Sequence, residues 1–475
     1  MAFVGRHTVN VVAVCVVFGL DSLSFSSLQS LQSSLNDSKG LGLASLSCFY
    51  AALTVSCLLI SPVMLQNLGT KKTLILGSVA YGLNAASNFY PKFFILIPSA
   101  ILCGLGTGPS WAAISTMLNT LAVNKAGLRS SLAEVLTSRY MAFQNASWQI
   151  SNTVATFVLS QVLTRHVSEE GLLDSSNFSS SCCGARDCGA EIPEETIGTL
   201  QPPEMLVKIF LGVFAASGLI LAPLITLFFM DNVKPCYLEV SANLSAEQKQ
   251  SNWLATLHAL REPHLLMLMP FAVFIGAYYS FVVGDFTKSF VSCTQGVHDV
   301  GYIIAVFAAS DAIFTIIFGL LRQYVSRLVM LTVAATLIEG AFVFSVVWDP
   351  EEGQRWHLFV LAVVWSVGDA VMPMQIRVFV GALFPANYGP AFSAVYLFIC
   401  MGYCLSFAVS ILSFVCVSYK IYGLMSLLGV SMLLYYAVEY HTRKGSGELR
   451  EKSGVSGTDN DRSDGDPLAD VKTEL

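Results

Sequence analysis

Residues Asp231 to Glu262 form a polar stretch with six long apolar runs before it and six after it. A helix needs roughly 20 apolar residues to cross a bilayer. Inside hydrocarbon every backbone donor and acceptor must be met within the chain, which makes each such run a helix. Before the polar stretch the runs are Val9–Leu28, Ala44–Leu65, Thr73–Phe89, Phe93–Leu121, Tyr140–Leu163 and Met205–Met230. After it they are Leu265–Val283, Val300–Leu321, Leu328–Trp348, His357–Phe384, Ala391–Cys416 and Ile421–Val438. The spacing predicts an all-α membrane protein of twelve transmembrane helices. Two six-helix halves, 1–230 and 263–440, flank a connector at 231–262 and precede a tail at 441–475. Only 12% of residues are charged, against about 25% in soluble domains, which fits. The first run follows Arg6 but reaches Leu28 and beyond without a small-x-small cleavage site, so it reads as a retained span and not a signal peptide.

Lys and Arg set the orientation. With the N-terminus in the cytosol, the inner side collects Arg6, Lys71, Lys72, Lys125, Arg129, Arg139, Lys234, Lys249, Arg261, Arg322, Arg327 and the tail cations. The outer side keeps fewer, so both termini are expected inside. Two glycosylation sequons, at Asn36 and Asn177, then fall outside, with Asn177 farther from the membrane. Cys182, Cys183, Cys188 and Cys293 also fall in that oxidising compartment, where disulfides persist. Cys183 and Cys188 either close a tight loop together, or one of them reaches Cys293. The other cysteines lie mostly in spans as small apolar fillers, and no histidine in the loop suggests a metal.

The halves carry traces of a duplication. An offset of 257 residues aligns Gln66 with Gln323 and Gly69 with Ser326; Lys71 and Lys72 follow the first loop and Arg327 the second. These loops resemble, in degraded form, the signature loop of the major facilitator superfamily, whose acidic residue and arginine are replaced by Gln66 and Asn67. That resemblance implies a major facilitator superfamily-like fold, while the decay of a loop that helps gate access argues against ordinary transport. Parallel six-helix repeats are one of the architectures of such proteins.

Five further patches are more specific: Leu28-Gln-Ser-Leu-Gln-Ser-Ser34 followed by Gly40-Leu-Gly42, Cys183-Gly-Ala-Arg-Asp-Cys188, Phe286-Thr-Lys-Ser-Phe-Val-Ser-Cys293, Ser310-Asp-Ala312 and Gly368-Asp-Ala-Val371. Together they resemble the Unc-ninety-three-like proteins, closest to the homologue A branch, over nearly the whole chain except the tail. The resemblance implies a regulatory or accessory subunit, with a potassium channel as the partner. A facilitator-type secondary transporter, proton- or cation-coupled, and a trafficking chaperone for a membrane receptor are the alternatives.

Charges inside spans are costly and therefore informative. Asp21, Asp311 and Asp369 fall near the middle of the first, eighth and tenth runs, and Arg377 lies two helical turns beyond Asp369. In the facilitator fold those helices line or adjoin the central cavity. The group then either shares a proton or cation, with Arg377 as counter-charge, or clamps the halves together as a polar network. Glu339, in the peripheral ninth span, reads as structural. Asp285 and Lys288, three apart, suggest a local ion pair. Gly104-Leu-Gly106-Thr-Gly108-Pro109 reads as close helix packing or a flexible wall.

Trp253, Leu254, Leu257 and Leu260 predict a short interfacial helix in the connector. The tail lacks large apolar residues and is expected to be disordered. Thr473 and Leu475 have the residue types of a PDZ-domain ligand. Nucleotide loops, HExxH and nucleophile elbows are absent from the sequence, as is any basic nucleic-acid patch. The expectation is a non-enzyme with no cofactor or metal, surrounded by membrane lipid, and resident in the plasma membrane or in an endomembrane.

Overall fold

The computed structural model describes residues 5–35, 41–127, 130–170, 183–188, 204–233, 255–295, 297–348, 350, 355–384, 388–411 and 415–453. Asn36, Asn177, Cys182, Trp253, Leu254, Thr473 and Leu475 lie outside the described residues. Among those described, all regular structure is helical. In chain order the helices are α1 Arg6–Leu35, α2 Leu41–Ser87, α3 Phe93–Ala126, α4 Ser130–Glu170, α5 Glu204–Ala216 and α6 Ala222–Phe229. There follow α7 Ala255–Ala259, α8 Pro263–Ser280, α9 Cys293–Gln295, α10 Val297–Leu321, α11 Arg327–Val347, α12 Arg355–Leu383, α13 Tyr388–Ile411 and α14 Val417–Ser453. π-helical turns at Ser217–Leu221 and Phe281–Ser292 join α5 to α6 and α8 to α9, so each pair reads as one continuous span.

Ten stretches among the described residues are long and apolar enough to cross a membrane. The sequence predicts twelve, and the difference has two sources. Leu41–Ser87 contains two of the predicted runs, divided at Gly69, whose φ of 75° lies in the left-handed region that glycine enters without a Cβ penalty. The arms on either side pack on the same length of α3: Phe49, Leu53 and Ser56 meet Gly104 and Gly108, while Gly77 and Ala80 meet Gly106 and Ser110. Two arms that share one stretch of a third helix lie side by side, so the chain reverses at Gly69. The second source is α4. It is long, but Gln144, Asn145, Gln149 and Asn152 lower its hydropathy, and it packs chiefly against α10 and α1.

Glycines set the closest crossings. At the α8–α13 crossing, Cβ atoms on Gly276 and Gly402 would run into the backbone of Ile399 and Val273. The Gly104–Gly108 stretch is likewise a packing surface, with Gly104 and Gly108 against the first arm of α2 and Gly106 against the second. Such small-residue contacts substitute for the hydrophobic driving force that lipid cannot supply. Among the described residues of the connector, α7 is helical, with Leu257 exposed and Leu260 half-buried.

The start of α1 and the end of α14 lie on one face of the bundle, here the terminal face. His7 bonds to the Leu121 carbonyl at 2.8 Å, and Arg327, at the start of α11, meets Glu439 near the end of α14. The opposite face carries two disulfides.

Candidate functional site

At mid-bundle the helices before the 231–262 connector meet those after it through polar side chains. Gln149 of α4 points its amide at two carboxylates on the other side. Its Nε2 donates to Asp311 Oδ2 of α10 and, at 3.0 Å, to Asp369 Oδ2 of α12. Thr315 Oγ donates to Asp311 Oδ1 at 2.8 Å, and Asn145 Nδ2 donates to Thr315 at 3.3 Å. Asp311 is fully buried, Asp369 is 8% exposed and Gln149 is 2% exposed. Two carboxyl groups from the second half therefore share one buried amide donor of the first.

Arg377 is the obvious counter-charge from sequence, and here the structure corrects the expectation. Its Nε donates to the Pro373 carbonyl at 2.9 Å, and an Nη donates to Gln144 Oε1 at 3.0 Å and to the Tyr396 hydroxyl at 3.3 Å. It forms neither a hydrogen bond nor an ion pair with Asp369. Tyr396 in turn meets the Ser115 hydroxyl at 2.8 Å and the Trp111 ring edge-on at 5.6 Å. Arg377 therefore fastens α12 to α4 and, through Tyr396, to α3. Asp21 also departs from the expectation. It sits in α1 and accepts from Ser78 of α2 at 3.0 Å, and no hydrogen bond joins it to Asp311 or Asp369.

The repeated loops have diverged in use. In the first, Lys71 Nζ caps the end of α6, donating to the carbonyls of Leu227 at 3.0 Å and Met230 at 2.6 Å; a cation suits the negative end of a helix dipole. Gly69 is the reversal described above, Gln66 is half-buried and Lys72 is exposed. The second loop latches the halves. Gln323 accepts from Arg139 of α4 at 2.5 Å. Glu134 of α4 holds Arg322 and Arg327, each at 2.6 Å, and Arg327 also reaches Glu439 at 2.9 Å and stacks on Phe379 at 3.9 Å. Glu134, Arg322, Arg327, Glu439 and Arg443 line an open cavity of about 360 Å³ on the terminal face.

On the opposite face, Cys183 pairs with Cys293 and Cys188 with Cys416. The tight loop between Cys183 and Cys188 is thereby corrected, while the reach to Cys293 is the geometry observed. Cys416, read from sequence as the end of a span, lies in the turn before α14. The short 3₁₀ turn Gly184–Arg186 between the bridges docks on the second half. The Asp187 carbonyl accepts from Val417 N at 2.9 Å, and its carboxylate accepts from Ser289 at 2.6 Å. Asp285 pairs with Lys420 at 2.6 Å and accepts from Ser410 at 2.8 Å, not with Lys288 as its spacing suggests, because the π-helical stretch turns it toward α13 and α14.

Among the described residues, sets of three or more His, Cys, Asp and Glu placed to hold a metal do not occur. Gln144, Gln149, Glu134, Tyr396, Cys416 and Glu439 are the participants that the sequence reading missed. For Gln149 a signal exists: Asn145, Gln149, Asn152 and Thr156 recur at helical spacing down one side of an apolar run.

Comparison with known proteins bears on what this arrangement serves. The family described as "Ion channel regulatory protein UNC-93" matches residues 35–348. "Protein unc-93 homolog A" of Danio rerio is 32% identical over 445 residues, covering 92% of this chain and 93% of that protein. The Caenorhabditis elegans protein named "Putative potassium channel regulatory protein unc-93" is 25% identical over 380 residues, covering 76% of this chain and 51% of its own length. Among solved structures, the Escherichia coli fucose:proton symporter FucP superposes with a TM-score of 0.64 at 12% identity, over 91% of this chain and 99% of that one. The human organic anion transporter MFSD10 does so with a TM-score of 0.62 at 14% identity, over 91% and 100%. At such identities the likeness shows the fold alone, that of the major facilitator superfamily.

Proposed function

Because the chain belongs to the UNC-93 family, we propose that it is a regulatory or accessory subunit of another membrane protein, a potassium channel, and does not transport on its own. The observation that carries this reading is that the halves are fastened at three depths. Two disulfides join them on one face, Gln149, Asp311, Asp369, Gln144 and Arg377 join them at mid-bundle, and Glu134, Arg322 and Arg327 join them on the terminal face. A facilitator-type carrier opens one face while the other closes. Ties on both faces at once oppose that motion and favour a scaffold. The family description and the printed name of the nematode relative supply the partner class.

A second reading, a proton- or cation-coupled transporter, draws on the Asp311–Asp369 pair. Uptake by sealed vesicles containing the purified protein separates the two. Substrate-driven uptake that is lost in both Asp311→Asn and Asp369→Asn overturns the accessory reading. The expected result is no such uptake, with potassium currents in co-expressing cells altered by the wild type.

The same reading puts the terminal face in the cytosol, the chain in the plasma membrane among its lipids, and the 164–204 loop outside. Glycans on Asn177 and Asn36 then follow. Glycosidase digestion is expected to shift the mobility of the wild type more than that of Asn177→Gln, and an unshifted wild type contradicts the orientation. Thr473 and Leu475 are proposed as the contacts to a PDZ-domain protein, tested with a tail peptide against its glycine-extended form.

A further inference from the structure

Glu339 lies in α11 about 18 Å from Arg327 and about 12 Å from Val347, counted at 1.5 Å per residue, so it is far from either membrane surface. It is half-buried, and it has no hydrogen-bond or ion-pair partner among the described residues. An ionisable side chain at such depth is expensive unless something answers it. Thr336, Gly340 and Val343 beside it are exposed.

The neighbouring helix on this side is α14, which runs antiparallel to α11. Arg327 meets Glu439, and the Thr332 and Tyr436 hydroxyls meet at 2.8 Å. Seven residues further along α11 and seven back along α14 bring Glu339 level with Gly429. A Cβ on Gly429, or on Gly340, would meet nothing within 4 Å. The two neighbouring helices thus carry at one level two exposed glycines with open space beside them and an unpartnered carboxyl group.

We propose that this α11–α14 face docks a transmembrane helix of another protein that carries a lysine or arginine at mid-membrane depth. Small residues let a further helix approach closely, and the carboxyl group selects for a cation. A second copy of this chain does not offer the complement, because its mid-span cation, Arg377, is buried and bonded within its own fold. Lipid headgroups do not reach this depth. The proposal rests on the accessory-subunit reading and gives that subunit a contact surface.

The test uses the full-length protein in phosphatidylcholine vesicles, with labelled leucine–alanine transmembrane peptides of about 24 residues bearing either lysine or leucine at the centre. Association is read by energy transfer. The lysine peptide is expected to bind about tenfold more tightly than the leucine peptide. Glu339→Gln, checked for folding by gel filtration, is expected to lose that preference. Gly429→Leu is expected to weaken both peptides, while Gly212→Leu, at an equally open glycine on α5, leaves both unchanged. Equal binding of the two peptides, or a preference that survives Glu339→Gln, overturns the proposal. Channel currents report on the accessory reading separately. Glu339-dependent peptide binding without any effect on currents leaves the docking face standing and removes the channel; regulated currents with no peptide preference do the reverse.

Discussion

At Gln149 one amide group serves two carboxyl groups from the opposite half. Replacing it with leucine keeps the bulk and removes the donor, leaving Asp311 and Asp369 to face each other unbridged. An unsatisfied buried polar group costs about 1–3 kcal/mol. Gln149→Leu is therefore expected to lower the midpoint of thermal unfolding measured by size-exclusion fluorescence. Adding Asp369→Asn is expected to recover part of that loss, since one of the two stranded carboxyl groups is gone; a further fall would contradict the bridge. Arg377 behaves differently because its partners are Gln144 and Tyr396. Arg377→Gln and Asp369→Asn, which share no bond, are expected to combine nearly additively, whereas Arg377→Gln and Gln144→Leu are expected to couple. A strong coupling between Arg377 and Asp369 would instead revive the direct ion pair. The four charges stood out in the sequence because charge in an apolar run is rare. Their partners did not, because glutamine, serine and tyrosine are cheap enough in a span to look unremarkable, and only pairing across 162 or 233 residues gives them meaning.

Elements were legible wherever hydrocarbon imposes a single rule. The runs of about 20 apolar residues became helices, and the loop glycine at Gly69 became a reversal. What the runs did not reveal is which helix touches which, because lipid-facing and protein-facing apolar residues look alike in a membrane span. The π-helical turn at Phe281–Ser292 illustrates this: a spacing of three residues suggests Asp285 with Lys288, but the widened turn delivers Asp285 to Lys420. Gly69 supports a prediction at this scale. With φ at 75° it sits where a Cβ is strained, and such strain costs about 1–3 kcal/mol. Gly69→Ala is expected to lower the unfolding midpoint. Gly423→Ala, in a helical stretch where a Cβ meets open space, is expected to hold or raise it, since alanine exceeds glycine in helix propensity by about 1 kcal/mol. Equal effects at the two positions would mean that the reversal does not depend on left-handed backbone.

At the scale of the whole molecule, the two disulfides make the halves covalently one body even without the connector. Cys183 and Cys188 precede the polar stretch that divides the chain, and Cys293 and Cys416 follow it. Both bridges therefore cross between the halves, with separations of 110 and 228 residues. A specific protease site placed in the 234–254 stretch turns this into a direct readout. After cleavage, the wild type is expected to run as a single full-length band on a non-reducing denaturing gel and as two fragments once reduced. Cys183→Ala is expected to stay joined through Cys188–Cys416, and Cys188→Ala through Cys183–Cys293. Only the double variant is expected to separate without reductant. If Cys183 and Cys188 instead closed a loop with each other, the cleaved wild type would already fall into two fragments on the non-reducing gel, and neither single variant would change the pattern. That outcome would also remove one of the three fastenings on which the accessory role depends. Non-covalent contacts, among them those of Gln149, Arg377, Asp187 and the Glu134–Arg327 cluster, would then hold the halves, an arrangement that a carrier could release from one face at a time.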